Sequence, residues 1–138
     1  MRESFCVKFQ AKKNFALFQS IHFTKINEIL LHLGEEIMFI VLYRWRIKPE
    51  KETQFIKAWA EVTDYFRQNW DSLGSRLHRG NDGLFYGYAQ WKSASDRENA
   101  FANAIKLEAS ELMKDAIAES FEPIILEKLA DFLVLPEK

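Results

Sequence analysis

The chain has 138 residues, and its 19 Lys and Arg nearly cancel its 20 Asp and Glu, leaving a net charge of −1. That balance argues against a nucleic-acid partner, which calls for a basic excess, while 48% apolar and 14% aromatic residues exclude intrinsic disorder. A single cysteine, Cys6, excludes a disulfide framework and a Cys-based zinc site, and no apolar run approaches the ~18 residues of a membrane span. The expectation is a soluble cytoplasmic domain with neither nucleic acid nor membrane among its partners.

The composition is uneven along the chain. All 4 Trp, all 4 Tyr and all 3 Pro lie beyond residue 37. Residues 1–37 therefore read as an N-terminal extension, and residues 38–138 as the domain. The extension holds a Phe-rich basic stretch from Val7 to Phe18 and a loose helical stripe from Ile21 to Leu33. It has no continuous apolar core with a small-residue cleavage site, so it does not read as a secretory signal. The plainer reading is a weakly ordered appendage. A sharper one takes Met38 as the natural start. Gly34-Glu35-Glu36 would then be a purine-rich ribosome-binding site read through as protein, and residues 1–37 would be no part of the natural chain.

Within the domain, Phe39 to Ile47 predicts a strand of β-branched and aromatic residues. Its odd positions are all apolar or aromatic; its even positions run Ile40, Leu42, Arg44, Arg46. Pro49 opens a helix, where its missing N–H costs nothing. Phe55, Ala58, Trp59, Val62 and Phe66 then give one apolar stripe that ends near Asn69. Leu73 to Arg79 predicts a second strand, Asn81-Asp82-Gly83 a hairpin turn, and Leu84 to Trp91 a third strand. Ser95 with Glu98 reads as a capping box. It opens a helix that carries Ala100, Phe101, Ala104 and Ile105, and helical spacing resumes through Leu112, Met113, Ala116 and Ile117, as one helix with a break near Leu107 or as two in succession. Leu126 to Leu135 predicts the last strand.

The order β-α-β-β-α-β is that of a ferredoxin-like antiparallel sheet with helices on one face. The opposite face should be polar in a monomer. Here Ile40 and Leu42, or else the aromatic row, must lie on it. An uncovered apolar face implies a partner, and the economical one is a second copy packed sheet to sheet.

The stretches FIVLYRWRIKPEKETQF and LGSRLHRGNDGLFYGYAQWKS resemble the antibiotic biosynthesis monooxygenase family over residues 38–135. The resemblance implies a dimeric α+β barrel of ferredoxin-like subunits. Family members include cofactor-free oxygenases, haem-degrading enzymes, isomerases and proteins without known activity. The haem-degrading branch uses an Asn late in the first strand and a Trp and a His on the second helix. This chain offers Tyr43 and Arg44 there, and neither Trp nor His from Lys92 to Phe121, so that branch is not expected. What remains implied is a cofactor-independent monooxygenase oxidising a small aromatic or polyphenolic substrate with O2. The alternative is a non-catalytic dimeric α+β barrel that binds a small ligand or serves in stress.

Oxygen reacts slowly with closed-shell molecules, so an enzyme without cofactor must stabilise an electron-rich phenolate or enolate in a dry pocket. His78, the lone domain His, with Arg44 and Arg76, is the candidate catalytic set. Arg76 and His78 share a strand face, being two apart. Trp59, Tyr86, Tyr88 and Trp91 are candidates to bind a flat aromatic ligand. Each also has a plain structural reading, as interface, salt-bridge or core residue. No metal is expected, because no second domain His accompanies His78 and no carboxylates have ligand spacing. No phosphate loop, nucleophile elbow or dinucleotide fingerprint occurs.

Overall fold

A computed structural model describes residues 38–137. The extension of residues 1–37, with its half-motifs and the question of the Met38 start, lies outside the described residues, as does Lys138.

Strand β1 (Phe39–Ile47) forms as its β-branched and aromatic run predicts. Pro49 sits at the start of a 3-10 turn, Pro49–Lys51, which leads into α1 (Glu52–Asn69). Within α1, Phe55 and Ala58 are buried and Trp59, Val62 and Phe66 half-buried, so the periodic stripe is the packed face. Trp70 returns the backbone to an extended conformation, and β2 (Ser72–Arg79) begins at once. The turn that follows needs Gly83 at φ +80°, and Asp82 Oδ1 accepts the Leu84 N–H at 3.0 Å. This is the short polar turn chemistry expected of Asp-Gly. β3 (Phe85–Trp91) returns antiparallel to β2.

The cap of α2 (Ala94–Asn103) corrects the Ser95–Glu98 expectation. Ser93, with extended backbone, is the cap, and its Oγ accepts the Asp96 N–H at 3.0 Å. Ser95 is already helical, and a cap residue must stand outside the helix to turn its side chain back onto the first free N–H groups. α2 ends at Asn103 and α3 (Glu108–Ala116) follows. The two are in succession, as one of the two predicted arrangements has it. Ile117, placed on the helical stripe from the sequence, opens β4 (Ile117–Ser120) instead, and β5 (Ile124–Leu126) comes after Pro123.

The last strand therefore lies upstream of its predicted place at Leu126 to Leu135. The register gives the reason. β4 pairs Ser120 with Trp45 and Ile117 with Ile47, and β5 pairs Ile124 with Leu42 and Leu126 with Ile40. By Leu126 only Phe39 of β1 remains, so residues 127–137 meet no strand edge. They carry no regular structure among the described residues, and Leu129, Phe132, Leu133, Val134 and Leu135 stand 68–93% exposed.

The sheet order is β2-β3-β1-β4, with β5 also on β1 and every pairing antiparallel. This is the open ferredoxin-like α+β arrangement. The odd row of β1 faces the helices. Trp45, Ile47, Phe55, Phe85 and Ala116 form the core cluster, with Phe55 edge-on to both Trp45 at 5.4 Å and Phe85 at 5.6 Å. α3 is tied to α1 at its polar rim, where Asp115 accepts from Lys51 and from Gln54. The Lys51 contact, more than any other cause, holds the Asp115 carboxyl below its ordinary value. The stability this adds is present above that ordinary value and lost as pH falls through the lowered one.

Candidate active site

Between the helix-side face of the sheet and the three helices lies a cavity of about 630 Å³. Its origin is legible in the pairing. β3 turns Phe85, Gly87, Ala89 and Trp91 toward the helices. Gly87 has no room for a side chain: a Cβ there would lie 2.8 Å from the Trp45 ring and 3.7 Å from Trp59 Nε1. Ala89 sits opposite Ser75 of β2 and opposite Val41 of β1. The small Ala89–Ser75 pair leaves the floor low between the large rings of Trp45 and Trp91.

The walls are aromatic. Tyr43 and Trp45 come from β1, Trp59 from α1, Trp91 from β3 and Phe101 from α2. Ser75, Ser110 and the group Lys106, Glu111 and Lys114 add polar atoms. Glu111 pairs with Lys114 at 3.2 Å and with Lys106 at 3.8 Å, so that group carries one positive charge in excess.

Two side chains stand out chemically. Trp91 is 3% exposed and packs edge-on to Phe66 at 5.7 Å. Its Nε1 is buried and meets no acceptor. An unpaired buried donor costs about 1–3 kcal/mol, so it calls for a reason. Tyr43 stacks on Trp45 at 5.6 Å with the rings 7° from parallel. Its hydroxyl accepts from Arg97 Nε at 2.8 Å. Burial pushes the Tyr43 phenol above its ordinary value, and Arg97 opposes that shift in part.

The seven sequence-selected site residues divide by face. Trp59 and Trp91 line the cavity. His78, Arg76, Arg44, Tyr86 and Tyr88 do not. Register places Tyr86 between Arg44 and His78, and Tyr88 between Leu42 and Arg76. Directly opposed residues share a face, so all five project from the side away from the helices. Arg76 and His78 share a face as their spacing requires, and register adds Arg44 to it, but the pocket is on the other side of the sheet. Arg44 there donates to the Glu122 carbonyl at 3.3 Å and lies 5.6 Å over the Phe121 ring. Tyr86 donates to Asp82, an exposed contact that raises the phenol and lowers the carboxyl. Tyr43, Phe101 and Ser75 were missed as cavity residues. Parity had already grouped Tyr43 with Trp45 in the wholly apolar odd row of β1, but only the fold turned that row toward the helices.

An open antiparallel α+β sheet of ferredoxin-like topology, backed by helices over an aromatic cavity, defines the structural class. The chain belongs to the antibiotic biosynthesis monooxygenase family, whose sequence pattern matches residues 38–117. No curated protein matches it. Among solved structures it resembles SnoaB, a cofactor-independent oxygenase of Streptomyces nogalater, at 14% identity and a TM-score of 0.59, over 70% of this chain and 97% of that one. A candidate antibiotic biosynthesis monooxygenase of Nitrosomonas europaea is similar at 18% identity and a TM-score of 0.58, over 68% of this chain and 92% of its own. A conserved protein of Methanosarcina mazei Go1 follows at 14% identity and 0.58, over 70% and 98%. At these identities the likeness is one of fold. Among the described residues no helix is long and apolar enough to cross a membrane.

Proposed function

We propose that the chain is a cofactor-independent monooxygenase that oxidises a small aromatic or polyphenolic substrate with O2 in the helix-side cavity. The observation that carries this reading is the cavity of about 630 Å³ walled by Tyr43, Trp45, Trp59, Trp91 and Phe101, a size and a lining that suit a flat aromatic ring. For a methylene flanked by two rings the reaction balances without a cofactor. Two C–H bonds break, one oxygen atom forms the new carbonyl and the other leaves as water, so the substrate supplies every electron. The chain's part is to hold the ring flat between Trp59 and Trp91, exclude water and favour the anion.

This reading moves the chemistry off His78, Arg44 and Arg76. Oxygen uptake with a panel of anthrones and hydroquinones tests it. Wild type should consume O2, and His78→Ala should consume it at an unchanged rate. No uptake across the panel overturns the oxygenase; uptake lost in His78→Ala returns the catalytic role to the outer face.

A second reading has its own support. Among the described residues no His lines the cavity, and neither Arg44 nor Arg76 does, which suits a binding protein without turnover. Saturable quenching of Trp fluorescence by the same compounds, with no oxygen consumed, would establish it.

The outer face supports a homodimer. On the side the helices leave, Ile40 is already buried, while half-buried Leu42, Tyr86 and Tyr88 make a small apolar and aromatic surface of the kind that marks association sites. Light scattering on the full chain should give twice the 16.3 kDa of the monomer. A monomer at micromolar concentration contradicts it.

A further inference from the structure

Arg97 of α2 is half-buried, and among the described residues it pairs with no carboxylate. Its guanidinium lies 4.8 Å over the Phe101 ring and 5.6 Å over the Tyr43 ring, both of them cavity residues. Among the described residues its one side-chain hydrogen bond goes from Nε to the Tyr43 hydroxyl at 2.8 Å.

The direction of that bond is forced. A guanidinium has donors only, so the Tyr43 oxygen must be the acceptor. The hydroxyl therefore keeps its own hydrogen to donate, and among the described residues it donates to nothing. Burial, which raises the phenol, keeps that hydrogen in place at neutral pH. The neighbouring cation polarises the O–H and makes it a stronger donor. The result is an incomplete relay: a partly desolvated positive charge, a polarised hydroxyl at the cavity wall, and no oxygen to receive it.

We propose that Tyr43 and Arg97 are the anion anchor of the cavity. A ligand with an acidic phenol or enol binds as its anion, with its oxygen accepting from the Tyr43 hydroxyl and its charge balanced by Arg97 through Tyr43. Tyr43 touches the ligand, and Arg97 acts through it as a positioning residue. The substrate class this selects is phenols and enols that ionise near neutrality, over ethers and ketones of the same shape. The inference rests on the cavity being the ligand site, the same site as in the oxygenase reading, but not on turnover.

The test uses the full chain and 4-nitrophenol, whose anion absorbs visible light and whose neutral form does not. A pH titration of bound probe should show its pKa lowered by about one unit, which is about tenfold tighter binding of the anion than of the neutral form. Tyr43→Phe and Arg97→Gln should each abolish the shift, and Arg97→Lys should restore part of it by returning the charge. The non-ionisable ether 4-nitroanisole should bind wild type and every variant alike, which separates a lost anchor from a collapsed cavity. An unshifted or raised pKa in wild type, a shift that survives both Tyr43→Phe and Arg97→Gln, or no saturable binding of the probe each overturn the proposal. The experiment reads no oxygen. A lowered pKa without O2 uptake on the substrate panel leaves the anchor standing and removes the oxygenase, and uptake with an unshifted probe does the reverse.

Discussion

Trp91→Phe is expected to lower kcat/KM for an anthrone or hydroquinone by up to about tenfold, the worth of an aromatic contact at ~0.5–1.5 kcal/mol lost from the cavity wall with the larger ring. The substitution keeps an aromatic ring against Phe66 and Phe101 and deletes the one polar atom. Its effect on stability should be small, because two changes oppose each other. Removing the unpaired buried N–H relieves its desolvation cost, and the smaller ring gives up packing. The melting temperature should therefore move by only a few degrees, roughly the effect of 1 kcal/mol or less in a domain of this size. Steady-state oxygen consumption and thermal denaturation of the same preparation check both halves. A purely structural Trp91 would show the opposite pair of results: lowered stability with turnover retained by the molecules that remain folded.

Phe55→Ala should have the largest effect on stability. Phe55 is fully buried at 0% exposure and stands edge-on between Trp45 and Phe85. Through it α1 joins both the first and the third strand. Truncating a buried Phe costs about 3–5 kcal/mol through lost transfer energy and the void left behind. For a domain of about 100 residues that lowers the melting temperature by roughly 15–30 °C. Thermal denaturation followed by circular dichroism would measure it. A fall under about 5 °C would mean that the cluster collapses into the void and is not the main support of the sheet. The same void would loosen Trp45, which walls the cavity and covers Gly87, so ligand binding should weaken along with stability.

The two variants separate what holds the fold from what works in the cavity. Phe55 has no polar atom and no share of the cavity lining, so its value is packing alone. Trp91 contributes to packing but carries a donor that the folded protein leaves unpaired. Trp91 is the candidate for function of the two, because its ring also walls the cavity and meets whatever flat ligand enters it.

Local chemistry made much of the fold readable in advance. β1, α1, β2 and β3 follow from β-branched runs, a Pro at a helix start, a three- and four-residue apolar period and an Asn-Asp-Gly turn. Their observed bounds agree with the sequence to within a residue or so, except that Pro49 opens a 3-10 turn and α1 itself begins three residues later at Glu52. Signals that depend on only a few residues were less secure. Ser93 and Ser95 both precede an acidic residue by three positions, and only the point at which the backbone turns helical chooses Ser93 as the cap. Residues 126–135 have the composition of a strand, yet a strand exists only where an edge accepts its hydrogen bonds. β4 and β5 had already taken that edge of β1.

The sequence by itself determined the family, the element order through β3, and which side chains share a face of each strand. Side-chain alternation is a local property of extended backbone and can be counted off the residues. It could not say which of the two faces the helices would cover. That choice depends on how Phe55 and Ala116 settle against Trp45, Ile47 and Phe85 across elements far apart in the chain. Only the tertiary structure therefore put Tyr43, Trp59 and Trp91 around one cavity and left His78, Arg44, Arg76, Tyr86 and Tyr88 on the other side of the sheet. Parity groups residues, and packing decides which group encloses a site.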